Sequence, residues 1–156
     1  MTKIIHPIAG TIGFVTIAIF WITTVGFELF GSMAQIVAVK STIPYGLILL
    51  IPAMAAVGVS GFRLAGKRRA GLLGAKARRM PIIAANGILI LVPAALFLAW
   101  KAKAGQFDGL FYAVQLLELA VGAVNLTLMG LSMRDGLQYS GRLHGRATQN
   151  RPEPQP

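Results

Sequence analysis

The chain has 156 residues, of which 55% are hydrophobic and only 13% charged, with a mean hydropathy of +0.67 and a net charge of +10. A soluble domain carries about 25% charged residues, and one of this length has no core large enough to hide so much apolar surface. The chain contains no cysteine, which excludes disulfides, thiolate metal sites, iron–sulfur clusters and cysteine catalysis.

A bilayer core of about 30 Å needs about 20 apolar residues per helix. Four runs qualify, at about 8–30, 42–62, 81–100 and 110–133. They define an all-α integral membrane protein, an antiparallel four-helix transmembrane bundle, with one domain over residues 1–140. The first run follows Lys3 as its only basic flank and exceeds the length of a signal-peptide core, so it reads as a retained helix. Glu28 is its one charge. It lies about 3 Å from the end of the helix at 1.5 Å per residue, where Tyr45 and Tyr112 are expected at similar depth. Glu28, Tyr45 and Tyr112 are read as an outer vestibule, with Lys40 in the short 31–41 connection as the nearest counter-ion.

The second and third runs echo one another. Gly46 and Pro52 in one match Gly87 and Pro93 in the other at the same spacing. Each proline removes a backbone donor, so Pro52 and Pro93 are expected to kink their helices. The connection between these runs holds Arg63, Lys67, Arg68, Arg69, Lys76, Arg78 and Arg79. With Lys3 and the tail arginines, twelve of the fifteen basic residues fall on one side of the membrane. By the positive-inside rule that side, with both termini, is cytoplasmic, and the expected location is a bacterial inner membrane. The net charge is therefore a topology signal and not a nucleic-acid footprint. Lys67, Arg68, Arg69, Lys76, Arg78 and Arg79 are also candidates for binding anionic lipid headgroups.

The fourth run carries Glu118, about 12 Å inside the helix end by the same rise. An ionised side chain at such depth is costly and invites a reason. Gln115, Gly122, Asn125, Met129 and Ser132 recur at helical spacing from it, so Gln115, Glu118 and Asn125 form an intramembrane polar stripe facing protein or water. Asn86 in the third run lies at a depth where it can meet Asn125. Residues 141–156, with three prolines and few apolar side chains, are expected to be a disordered cytoplasmic tail.

No phosphate loop, nucleophile elbow, metal-spaced cluster or paired carboxylates are present. His6 and His144 both fall outside the runs, which argues against a buried bis-histidine haem; His6 with Met80 or Met133 is the remaining ligand pair. No cofactor and no enzyme activity are expected. The primary expectation is a non-catalytic accessory subunit, a homo-oligomer or part of a larger membrane complex, because small residues such as Ala55, Gly58, Gly61 and Gly122 suit close helix contacts. The alternatives are a proton- or cation-coupled solute transporter using Glu118 and a haem b electron-transfer subunit.

Overall fold

A computed structural model describes residues 2–65 and 79–139, and every element among them is helical. Helix α1 spans Thr2–Phe30, α2 spans Met33–Ala65, α3 spans Arg79–Lys103, and α4 spans Gly109–Tyr139. All four are long and apolar enough to cross a membrane, and no more than 28% of any membrane-length window is buried inside the protein. Such helices present most of their surface outward, as lipid requires and water forbids. Most of the basic loop and the whole tail lie outside the described residues.

The helices are longer than the apolar runs, and the largest difference corrects the 31–41 connection. Only Gly31 and Ser32 separate α1 from α2. The cause is a capping box: the Ser32 backbone N–H donates to Gln35 Oε1 at 2.8 Å, and the Gln35 N–H donates to Ser32 Oγ at 3.4 Å. Gly31 closes α1 by donating to the Phe27 carbonyl at 2.9 Å. A Cβ on Gly31 would sit 2.5 Å from that oxygen, so glycine is required there. Lys40 is therefore not a loop residue; it lies two turns inside a helix.

The α3–α4 connection is equally well specified. Gly105 takes φ +67. Its N–H donates to Ala102, and the Gln106 N–H donates to Lys101, which satisfies the last carbonyls of α3. Asp108 then caps α4 by accepting from the Phe111 N–H at 2.9 Å. Lys101 donates to the second carboxylate oxygen. That hydrogen bond, followed by the one from Phe111, holds the Asp108 carboxyl below the usual carboxylate range. A lowered pKa gives stability that is complete above the ordinary carboxylate range and is lost as pH falls through the lowered value. Hydrogen exchange at the Phe111 amide should therefore stay slow to acid pH and rise only in stronger acid. In Asp108→Ala it should be fast throughout, and unchanged exchange in that variant would remove the cap from the account.

The buried positions recur every 3.5 residues. In the first half of α2 they are Ile36, Lys40, Ile43, Leu47 and Leu50. In α4 they are Phe111, Gln115, Gly122, Asn125, Met129 and Ser132, with half-buried Glu118 in step. This is the spacing of left-handed helix packing. Helix contacts close a ring, from α1 to α2, from α2 to the second half of α3, from α3 to α4, and from α4 to α1. Glycines allow close approach where α1 meets its neighbours: the Phe20 ring tip abuts Gly46, and the Trp21 indole crosses Gly122 and donates to the Leu119 carbonyl at 2.9 Å.

Before Pro93 the third helix departs from α geometry. Asn86–Leu91 is a π-helical segment, and the Val92 N–H reaches back to the Gly87 carbonyl. Pro93 opens the α-helix that follows. Having no N–H and a ring that crowds the preceding turn, it is accommodated by the wider π turn. Pro52 lies inside continuous α2, as does Pro44.

Candidate functional site

Burying a lysine inside a four-helix bundle demands a partner of opposite charge. Lys40 is 1% exposed, and its Nζ donates to Glu118 Oε2 at 2.7 Å. This pair joins α2 to α4 across the ring, where the two backbones do not otherwise meet. Gln115, one turn before Glu118, is 3% exposed and places its Nε2 3.5 Å from the same carboxylate oxygen. Glu28, on α1, lies one helical turn beyond Thr24, a residue of the neighbouring cavity lining.

The cluster is not internally satisfied. Glu28 Oε1 and Gln115 Oε1 are both buried without a hydrogen-bond partner, and among the described residues no other buried side-chain nitrogen or oxygen is in that state. Buried acceptors without donors are rare in native proteins and each needs an explanation. Two carboxylates and one ammonium also leave one surplus negative charge when all three are ionised. The arrangement is short of a donor and a positive charge.

Beside it lies a cavity of about 310 Å³ lined by all four helices. This is at the lower end of the ~300–1,000 Å³ typical of small-molecule pockets. Thr24, Trp21 and Glu118 line its polar end, and Ile17, Leu47, Leu50, Met54 and Val92 are among its apolar walls. Asn125 also lines it but is already engaged: it accepts from Asn86 Nδ2 at 3.3 Å and donates to the Ile83 carbonyl at 3.3 Å.

The structure thus brings Glu118 and Gln115 together and adds Lys40, which pairs with Glu118 where Glu28 was the expected partner. Tyr45 is 68% exposed and Tyr112 43% exposed, and among the described residues neither hydrogen-bonds to Glu28. Both rings sit on outward helix faces, where amphipathic aromatics suit a membrane interface. Asn125 lies in the stripe as expected, but it belongs to the Asn86 contact and not to the charged cluster. The stripe also runs further than read, to buried Asp135, which binds Arg79 at 2.6 Å. Arg79, a candidate for lipid headgroups, is thereby held within the protein. Lys67, Arg68, Arg69, Lys76 and Arg78 lie outside the described residues. His6 Nδ1 lies 2.9 Å from Ser60 Oγ, and both His6 and Met80 flank Gly61, away from the cavity lining. No group of three His, Cys, Asp or Glu side chains suited to a metal occurs among the described residues.

No family model, curated protein or solved structure matches this chain.

Proposed function

We propose that this is a multi-pass protein of a bacterial inner membrane, an antiparallel bundle with cytoplasmic termini, that acts as a proton- or cation-coupled carrier of a small solute. The basic loop and tail support the orientation. The short connections, with the contacts of His6 to Ser60 and Arg79 to Asp135, support the antiparallel order. One observation carries the functional reading: a buried Lys40–Glu118 pair, flanked by two acceptors that lack donors, at the head of a cavity between all four helices. A sealed structural ion pair would be expected to have its remaining lone pairs satisfied. In this reading a proton or cation competes with Lys40 for Glu118, and the displaced ammonium turns to Glu28. Ion binding is thereby linked to the relative positions of α1, α2 and α4.

The accessory-subunit reading rests on the apolar outer surface, with residues such as Ile48, Leu89 and Leu116 exposed. Lipid covers that surface equally well, and the reading leaves the two bare oxygens unexplained.

The test is charge movement in proteoliposomes adsorbed on a solid-supported membrane, after jumps in pH or sodium concentration. The native protein should give a transient current that is absent from correctly folded Glu118→Gln. An undiminished current in that variant would overturn the assignment.

A further inference from the structure

One side of the cavity is lined by small residues. The π segment Asn86–Leu91 packs against α4 and its own continuation but brings no Cα within 8 Å of α2. The facing residues there are small: Ala55 and Gly58 on α2, Ala84 and Gly87 on α3, and all four line the cavity. Ala55 and Ala84 are exposed, as are Ile51 and Ile88 at the edges of the gap. Since these faces meet hydrocarbon, the cavity opens toward lipid.

Its polar end selects the headgroup. Glu118 and Thr24 line that end. Glu28 lies one helical turn beyond Thr24 on α1, and Gln115 one turn before Glu118 on α4. The bare oxygens of Glu28 and Gln115 are acceptors without donors, and with Lys40, Glu28 and Glu118 all ionised the surplus charge is negative. A carboxylate would be repelled, and a hydroxyl would supply one donor and no charge. An ammonium supplies three donors and the missing positive charge. We propose that the site takes a lipophilic amine from the bilayer, its hydrocarbon tail in the apolar cavity between α2 and the π segment and its ammonium at Glu118, which lines the cavity, with Gln115 and Glu28 a turn away behind the lining. The proposal rests on the carrier reading and names its substrate class.

Trp21 lines the cavity and supplies the signal. With Trp100→Phe in place it is the only tryptophan. That protein, in nanodiscs of zwitterionic lipid, is titrated with n-octylammonium, n-octanol and n-octanoate at neutral pH. Octylammonium should change Trp21 emission saturably and bind at least about tenfold more tightly than octanol, the scale of one charge-assisted hydrogen bond. Octanoate should not compete. Glu28→Gln should weaken octylammonium by about tenfold or more. Gly58→Leu should abolish the saturable signal; a side chain there meets nothing within 4 Å of its Cβ, so the variant should fold and fill the cavity. Equal affinity for octanol and octylammonium would overturn the proposal, and so would a response that survives Gly58→Leu, which marks partition into bulk lipid. Octylammonium binding without charge movement would support the substrate class and overturn the carrier, whereas charge movement without amine binding would do the reverse.

Discussion

Lys40→Met should destabilise the folded bundle by about 3–5 kcal/mol, the usual consequence of removing one member of a buried ion pair. The loss comes less from the missing attraction than from what stays behind. With Lys40 gone, Glu118 keeps its charge among largely buried neighbours with no cation beside it. The double variant Lys40→Met with Glu118→Gln should recover most of the stability, because the replacements are close in volume and remove both charges of the pair. Unfolding free energies in bicelles, measured as a double-mutant cycle, give the coupling directly. A cycle that closes additively, with each single variant costing under about 1 kcal/mol, would make the pair a peripheral contact of the exposed kind. The double variant serves a second purpose. It separates folding from function, since a stable bundle without the pair should carry no ion-jump current.

Gly46→Ala should have a modest effect on stability and a large one on ligand binding. A Cβ at this position would lie 2.2 Å from the tip of the Phe20 ring. The ring must move, and the open space beside it is the cavity, which Phe20 already lines. Overpacking of this kind costs about 1–3 kcal/mol, while the displaced ring occupies volume meant for the ligand. Octylammonium binding should therefore fall by more than about tenfold. Adding Phe20→Leu shortens the obstructing side chain and should restore binding. If Gly46→Ala binds normally, α1 and α2 have moved apart instead, and the position of the ring does not control access.

The four helices were legible because lipid imposes a length and an apolarity that nothing else in so short a chain would need. The α4 stripe was legible for the same reason: Gln115, Glu118 and Asn125 share a face by spacing alone. Lys40 was not. It stands where charge first interrupts an apolar run, and a reading based on hydropathy ends the helix at that point. Two local signals argue otherwise. Ser32 and Gln35 have the spacing of a capping box, and Ile36, Lys40, Ile43, Leu47 and Leu50 continue one seam through the charge. The facing of the tyrosines was not legible from depth alone; Tyr45 falls between seam positions. The π segment has a visible cause in Pro93. However, Pro44 and Pro52 sit within unbroken α2, so proline alone does not say which helix widens. That choice belongs to the neighbours, where Asn86 reaches Asn125 only after the third helix is packed.

The order of residues along the chain gives the ion pair a history. Lys40 and Glu118 are 78 residues apart in sequence. At about 5–20 residues per second of synthesis, the lysine waits roughly 4–16 s for its carboxylate. Until Asp108 is made, ten residues before Glu118, the nascent chain has one acidic residue, Glu28. The two-residue turn at Gly31 and Ser32 holds α1 and α2 as a hairpin with Glu28 and Lys40 near its closed end. The glutamate that ends with a bare oxygen is therefore the first counter-charge available to the lysine. It lets the hairpin enter the bilayer near neutrality before the last helix arrives to take the lysine over.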